Sequence, residues 1–142
     1  MTEAQANEVI AAAFVAGWPA ASGNVPFVID NFAITLPASG FFAALTVTMT
    51  TSEQRTSGGP NTRLVERTGW ITVKLWAPAG AGTAGTDALI AAVRALFEMQ
   101  NLALVGDSET IDTKTTTKTP IGIDGLWYMT LARTPFSFYE TL

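Results

Sequence analysis

Alternation of apolar and polar positions is the clearest pattern in the chain, and it marks two strands. From residue 41 to residue 51, apolar side chains alternate with threonines, which predicts a strand with one buried face. Residues 62–76 alternate in the same way, with Trp70 and Trp76 on the face shared with Thr72 and Lys74. The opposite face carries Val65, Ile71, Val73 and Leu75, and also Arg63 and Arg67 near the start of the strand.

Two segments show the three- and four-residue spacing of amphipathic helices. Residues 3–16 place Ala6, Val9, Ile10 and Phe14 on one face, and Gly17 to Pro19 are predicted to end that helix. Residues 86–98 form the second helix, with Thr86 as its expected N-cap and Asp87 near the positive end of the helix dipole. The apolar stripe of the second helix consists of Leu89, Ile90, Val93, Leu96 and Phe97.

The remaining segments predict strands, turns and one long connection. Residues 25–32 are a short extended segment, 37–40 a turn, and 52–61 a flexible hairpin arm containing Gly58-Gly59-Pro60. Residues 107–119 are rich in threonine, with Asp112, Lys114 and Lys118 on one side, which predicts an edge strand or a strand that pairs outside the domain. Asp124-Gly125 marks a turn before a final strand over 126–139.

These elements occur in the order α-β-β-β-α-β-β. That order predicts an α+β fold with a mostly antiparallel sheet and two helices packed on one face. The length of 142 residues fits a single domain over 1–142, without an internal repeat.

The charge content changes this picture more than any other compositional feature. Only 14% of residues are charged, against about 25% in an ordinary soluble domain. A surface built largely from Thr, Ser, Ala and Gly suits contact with other subunits. The net charge of -4 and the absence of a basic stripe argue against nucleic-acid binding through phosphate neutralisation.

Several classes of chemistry are disfavoured by what the sequence lacks. There is no Cys and no His, so a thiolate metal site and the commonest general base are both excluded. Any chemistry would have to use carboxylates, Lys, Tyr, Ser or Thr alone; we expect no catalytic residues, no bound metal and no cofactor. No signal peptide is evident and no apolar run approaches the ~18 residues that span a bilayer, so synthesis in the cytoplasm without a membrane partner is expected.

Residues 80–85 spell G-x-G-x-x-G between a strand and a helix, with Asp107 downstream where a ribose-binding acid would lie. In isolation this motif indicates a dinucleotide-binding enzyme. The preceding strand, however, carries Arg63, Glu66, Arg67 and Lys74, whereas a parallel strand buried on both faces is nearly all apolar. No further βα units follow, so we interpret the glycines as a flexible connection that lets the helix fold back.

The acidic and aromatic residues each allow a functional and a structural interpretation. Asp107, Glu109 and Asp112 lack the ligand spacing of a calcium loop, and Glu53 and Glu66 are weak evidence for glycoside chemistry. The four Trp residues could stack on sugars, fill the core, or lie in a protein interface, where Trp is enriched. Arg55, Arg63 and Arg67 form the one loose basic cluster, either a solvated face or an interface anchor.

The order of these pieces resembles the tail terminator-like proteins of long-tailed bacteriophages over nearly the whole chain. The pieces are an N-terminal helix, the extended VIDNF at 28–32, a long hairpin, RTGWITVKLWAPAGAG at 67–82, a helix ending near Phe97, Trp127, and TPFSFY at 134–139. The most specific part is the R-x-G-hydrophobic strand that runs into a P-x-G-x-G turn. The sequence FFAALTV at 41–47 departs from the Trp- or Arg-bearing strand of the family, which leaves the subfamily open.

The resemblance implies a structural virion protein, without catalytic residues, that forms a ring of typically six copies. Such a ring caps the tail tube, ends its growth and presents a joining surface to the head-side connector. The implied partners are further copies of the chain, the tail tube protein and the connector. DNA would pass through the lumen without sequence-specific binding, and the virion tail would be assembled in the host cytoplasm.

The candidate contacts with other subunits or with the tube lie on the arm, on the strand that follows it and on the Thr-rich edge strand. They are Arg55, Arg63, Arg67, Trp76, Thr113, Lys114, Thr115 and Lys118. Two alternatives stay open: another virion ring, such as a head-completion or connector protein or a tail tube subunit, and a carbohydrate-binding module that uses exposed Trp.

Overall fold

Two helices and seven strands make up the fold in a computed structural model that describes residues 1–29, 40–103, 106 and 108–142. The helices are α1 (Glu3–Ser22) and α2 (Ala84–Phe97). The strands are β1 (Phe27–Ile29), β2 (Phe42–Gln54), β3 (Leu64–Pro78), β4 (Asn101–Leu102), β5 (Ile111–Thr113), β6 (Thr117–Asp124) and β7 (Trp127–Thr141).

The strands form a single sheet in the order β1-β2-β3-β7-β5-β4, and β6 pairs with the part of β7 that β5 leaves free. Each pairing is antiparallel except that of β1 with β2. Both helices pack on one face of this sheet and enclose one hydrophobic core. The predicted α+β class, the mostly antiparallel sheet and the placement of both helices on one face are confirmed.

The predicted alternation of apolar and polar side chains along β3 is observed, and its apolar side chains form part of the core. Ile71, Val73 and Leu75 are almost fully buried beneath the helices. Trp70 and Trp76 point to the opposite side of the sheet, called the outer face below, on which neither helix lies. The interpretation of these two Trp residues as core beneath the helices is therefore wrong, because the helices occupy the Val/Ile/Leu face.

Helix α1 continues six residues beyond its predicted end at Ala16. Pro19 lies inside the helix, although a proline there costs about 3 kcal/mol by removing a hydrogen bond and crowding the preceding turn. Burial outweighs this cost: Trp18 is fully buried, its ring stacks on Phe14 at 5.0 Å, and its indole N–H donates to the Val25 carbonyl at 3.0 Å. The helix ends at Gly23, which adopts the left-handed conformation with φ of 74°.

Helix α2 begins two residues earlier than predicted, at Ala84. Thr86 is a buried residue of the first turn and not the N-cap, since the cap position belongs to Thr83, which makes no side-chain capping hydrogen bond. Asp87 does lie in the first turn, as predicted.

The Thr-rich segment forms two strands where one was predicted. Ile111 is fully buried in β5. Three residues separate β5 from β6, and after them the side chains of β6 no longer follow the alternation of β5. Asp112 lies opposite Ser137 on the outer face, whereas Lys118 lies opposite Ala132 on the helix face. The predicted grouping of Lys118 with Asp112 and Lys114 is therefore wrong. Residue 107, residues 30–32 of the predicted segment 25–32 and residues 37–39 of the predicted turn 37–40 lie outside the described residues.

Candidate subunit-contact surface

The glycines of the G-x-G-x-x-G sequence have structural roles. Gly80 and Gly82 have φ angles of 84° and 81°, which only glycine adopts without strain, and they reverse the chain between β3 and α2. A Cβ atom on Gly85 would lie 2.3 Å from the Phe41 ring. The Asp87 carboxylate at the start of α2 would also repel a phosphate there. These contacts favour the structural interpretation of the motif.

Arg55 is held in an ion-pair network on the outer face. Its Nε donates to Glu66 Oε2 at 2.9 Å, and its Nη1 lies 3.3 Å from Glu53 Oε1. The Tyr139 hydroxyl donates to the same Glu66 oxygen at 3.1 Å. Glu53 and Glu66 are cross-strand neighbours, so Arg55 relieves the repulsion between two carboxylates.

This network makes a pH-dependent prediction. The hydrogen bond from Arg55, with a second from Tyr139, holds the pKa of Glu66 below its ordinary value, and Glu66 in turn raises the pKa of Tyr139. A depressed folded-state pKa stabilises the fold above the unfolded pKa of Glu, and this contribution is lost as the pH falls through the folded pKa. Carboxyl NMR titration should therefore place the Glu66 midpoint below an ordinary Glu midpoint.

The matched variant for that titration is Arg55→Gln, which removes the cation and retains a polar side chain. The Glu66 midpoint should then rise toward its ordinary value. An unchanged Glu66 midpoint in Arg55→Gln would contradict the assigned cause.

Arg67 and Arg63 have partners of their own and do not join Arg55 in one cluster. Arg67 points to the helix side of the sheet, where it pairs with Glu140 and donates to Ser52 Oγ at 2.8 Å. The Arg63 guanidinium donates to the Gly58 carbonyl at 2.8 Å across the arm loop, residues 55–63. β2 and β3 stay paired up to Gln54, so the loop is shorter than the predicted arm. Its flexibility stays a prediction.

Thr113 has a buried structural role. Its hydroxyl contacts the Phe97 carbonyl at the end of α2 and accepts from the Gln100 amide at 2.7 Å. The side chain is 4% exposed, so it offers no surface to a partner. The neighbouring Lys114 and Thr115 side chains are exposed, and Lys118 Nζ pairs with Asp87 Oδ1 at 2.7 Å.

Replacing Thr113 with valine should destabilise the protein by about 1–3 kcal/mol, because the Gln100 amide and the Phe97 carbonyl at the end of α2 lose their partner. Valine keeps the shape of threonine, so the change tests the hydroxyl alone. Thr115→Val is the matched control, and its exposed side chain should leave the urea midpoint almost unchanged. Equal midpoints for the two variants would refute the role assigned to Thr113.

The outer face combines apolar side chains with a polar hollow. Trp76 is half-buried and packs against Phe42 with 5.4 Å between ring centroids. Towards the arm loop, an open concavity of about 450 Å³ is lined by Trp70, Tyr139, Glu66, Asp112 and Lys114, among others. Trp18 is fully buried and the other three Trp residues are half-buried, so none offers the fully exposed ring that the carbohydrate-binding alternative requires.

Two stretches of strand edge have no partner strand within the described part of the chain. β1 covers β2 only at residues 43–45, so the edge of β2 from 46 to 54 is open. On the other side of the sheet, β6 pairs with β7 along one edge only. The sequence predicted an edge strand near β6 but missed the open edge of β2, since its polar residues also fit an ordinary hairpin.

A second feature that sequence reasoning missed is the hairpin tip between β6 and β7. Ile121, Ile123 and Leu126 are 52%, 72% and 82% exposed. The spacing of these residues beside Gly122 and Gly125 was a usable signal, because large apolar residues are uncommon in a glycine-rich turn.

Within the described residues, no helix is long and apolar enough to cross a membrane. No cluster of three or more acidic side chains that could hold a metal ion occurs among them either.

Comparison with known proteins identifies the family of this chain. Two solved structures share the fold: a protein for which no function is given (19% identity, 92% of this chain and 94% of that one, TM-score 0.67), and a chain from the virion of a native gene transfer agent particle (14% identity, 98% and 100%, TM-score 0.65). No curated protein sequence matches. The profile of the phage tail terminator proteins matches residues 7–136. The chain therefore belongs to the phage tail terminator family, and it is a structural protein of the phage virion tail.

Proposed function

We propose that this protein forms a closed ring, typically of six copies, that caps the tail tube. The ring ends tube growth and provides the joining surface for the head-side connector. Family membership supports this role. The observation that carries the ring itself is the pair of strand edges, on opposite sides of one sheet, that have no partner strand among the described residues.

The strand directions make those two edges complementary between copies. β2 and β7 are both antiparallel to β3, and β6 is antiparallel to β7, so β2 and β6 run in opposite directions. When a second copy lies beside the first in the same orientation, its β2 meets β6 as an antiparallel partner. Such a head-to-tail contact uses two different surfaces, and it generates a ring when the rotation closes.

The two open edges are also staggered along the strands. β2 and β7 both pair with β3, and the two registers place residues 46–54 of β2 level with residues 133–140 of β7. β6, in contrast, pairs with residues 127–133 of β7. Pairing them shifts each copy along the strand direction by about half the length of β7. A sheet that closes on itself requires a stagger and tilted strands, so this offset supports a closed ring.

The exposed candidate residues fit this arrangement. Lys114 and Thr115 lie in the connection that leads into β6, and Arg55 lies where β2 leaves the sheet. We propose that the arm loop of one copy approaches the β5–β6 connection of the next. Trp76, on the outer face, would contact the neighbouring copy or the tube.

The proposed partners are further copies of the chain, the tail tube protein and the head-side connector. DNA crosses the lumen without sequence-specific binding, and assembly takes place in the host cytoplasm. We propose no catalytic role. The main alternative within virion proteins is a tube subunit, which would polymerise without limit where a terminator stops at one ring.

The test is the solution mass by light scattering over a wide concentration range, with negative-stain imaging of the largest species. We expect a single closed ring whose mass stops rising with concentration. Continuous growth into filaments would contradict the terminator role and favour a tube subunit. A monomer would move the test to purified tail tubes, where failure to bind would refute the proposal.

A further inference from the structure

We infer that β6 of one copy pairs with β2 of the next in a single register, with Lys118 opposite Ser52 and Ile123 opposite Val47. This inference rests on the proposed function, because it specifies the contact between copies that a ring requires. Each of the two strands carries one extra residue, and these two irregularities together fix the register.

The extra residue of β2 is Thr50. Met49 lies opposite Gly69 and Thr51 lies opposite Thr68, so Thr50 has no opposite residue on β3. A bulge of this kind leaves one residue outside the ladder and reverses the alternation of the residues that follow it.

The main-chain groups on the open edge of β2 therefore change phase at the bulge. Before it, the Ala43 amide donates to the Pro26 carbonyl, so residue 43 and every second residue up to 49 point away from β3. After it, the Arg55 amide donates to the Leu64 carbonyl, so residues 52 and 54 are the ones that point away. The outward main-chain groups of the open edge are those of Val47, Met49, Ser52 and Gln54.

The corresponding extra residue of β6 is Ile121. Pro120 lies opposite Thr130 and Gly122 lies opposite Met129, so Ile121 has no opposite residue on β7. β6 therefore has the same interruption as β2, on the strand that the proposed ring places beside it.

The main-chain groups of β6 change phase in the same way. The Lys114 amide donates to the Pro135 carbonyl, so every second residue of β7 from 135 to 127 points toward β5 and β6. The residues of β6 that pair with these are 117, 119, 122 and 124. Lys118 before the bulge and Ile123 after it therefore point away from the sheet.

The two interrupted edges match each other. Lys118 and Ile123 are five positions apart, and so are Val47 and Ser52. In a regular strand, residues that point the same way are separated by an even number of positions, so only another interrupted strand can match an odd spacing. With Lys118 opposite Ser52, Ile123 lies opposite Val47, and hydrogen bonds form on both sides of the bulges.

The side chains agree with this register. Val47 lies opposite Ile71 on the helix face, where it is half-buried at the edge of the core. Ile123 lies opposite Tyr128 on the same face and is 72% exposed, so the pairing buries it against Val47. Pro120 has no amide, and it lies opposite Thr50, where the bulge already interrupts the ladder.

A register displaced by two residues would satisfy the outward main-chain groups as well, but it overlaps less. It would place Lys118 opposite Gln54, the last residue of β2, so that Thr117 would lie beyond the strand. The proposed register sets the eight residues of β6 against residues 46–53, entirely within the open edge. The displaced register is therefore the one that the experiment must exclude.

Disulfide cross-linking distinguishes the two registers, because the chain has no Cys of its own. The double variant Thr51→Cys/Thr119→Cys places thiols on two exposed residues that lie opposite each other in the proposed register. They form a pair without mutual hydrogen bonds, with Cα atoms about 4.5 Å apart, which is within the range of a disulfide. Within one copy, the two positions lie on opposite sides of the sheet, so a disulfide between them joins two copies.

The matched control is Glu53→Cys/Thr119→Cys, which pairs directly only in the displaced register. In the proposed register these two Cα atoms lie on a diagonal, about 7–8 Å apart, beyond the reach of an ordinary disulfide. Rings of each variant, formed alone or on tail tubes, are treated with a mild oxidant and separated on a non-reducing gel. We expect a ladder of covalent multimers from Thr51→Cys/Thr119→Cys at a rate at least tenfold above that of the control.

A charge variant tests the apolar contact independently. Ile123→Asp should raise the concentration needed for ring assembly at least tenfold without changing the melting temperature of the monomer. Val15→Asp places the same charge on an exposed apolar site of α1 (Val15 is 49% exposed) and should assemble like the wild type. Ring assembly by Ile123→Asp at the wild-type concentration would contradict the contact with Val47.

Two cross-linking results would overturn the inference while leaving the proposed function intact. Equal or faster cross-linking of the control would assign the displaced register. Rings of wild-type mass in which neither pair cross-links would show that copies meet through other surfaces. If the wild-type protein forms no ring, either alone or on tubes, the proposed function fails and the inference fails with it.

Discussion

Replacing Lys118 with proline should convert the assembled ring to monomers without unfolding the protein. The Lys114 amide donates to the Pro135 carbonyl, so the main-chain groups of Pro135, and of every second residue before it in β7, point toward β5 and β6. These residues include Arg133 and Leu131, which pair with Thr117 and Thr119 of β6. The amide of Lys118, which lies between Thr117 and Thr119, therefore points away from the sheet. Pro120 already lacks the next outward amide, so proline at 118 removes the remaining outward donor of residues 117–120, whereas edge strands tolerate proline.

Lys118→Ala is the matched control for the proline variant. It removes the ion pair with Asp87, an exposed contact worth about 0.2–1 kcal/mol, but it keeps the outward amide. Light scattering should find monomers for Lys118→Pro and rings for Lys118→Ala. Rings formed equally well by both variants would exclude β6 as the contact strand.

Replacing Trp18 with alanine should destabilise the monomer by about 3–5 kcal/mol, the range for large aromatic residues in cores. The ring is fully buried, stacks on Phe14, and its indole N–H satisfies the Val25 carbonyl. The same stacking holds α1 through Pro19, so the last helical turn should fray as well. A loss of this size lowers the melting temperature by roughly 10–15 °C in a domain of this length.

Trp18→Phe separates the two contributions of that residue. Phenylalanine retains an aromatic ring against Phe14 but cannot donate to Val25, so a smaller loss is expected, about 1–3 kcal/mol from the unsatisfied carbonyl and the lost volume. Calorimetry or urea unfolding measures both variants. A Trp18→Ala protein that melts within a few degrees of wild type would show that the core does not depend on this contact.

The sequence predicted the parts of the fold that depend on local periodicity. The alternation of β2 and β3 and the apolar stripe of α2 each follow from side chains spaced along one element, and the structure confirms them. It failed where a distant contact overrides a local preference. Pro19 should end α1, yet the burial of Trp18 keeps the helix intact.

The candidate surface was predicted less completely, because exposure depends on which strands are neighbours. Thr113 and Thr115 are the same residue type in the same Thr-rich segment, but only the structure shows that Thr113 is buried against α2 and that Thr115 is exposed. Within the described residues, the edge of β2 is open because β1 pairs only with residues 43–45, and no local pattern specifies that pairing.

Tube elongation in the presence of this protein tests the central claim most directly. Tubes are assembled from the tail tube protein of the same phage, the protein is added at a chosen time, and tube lengths and ends are imaged by electron microscopy. The proposed role predicts that growth stops at the length reached and that a single ring lies on the tube end. Continued elongation at the wild-type rate, or stacking of further rings on the first, would contradict it.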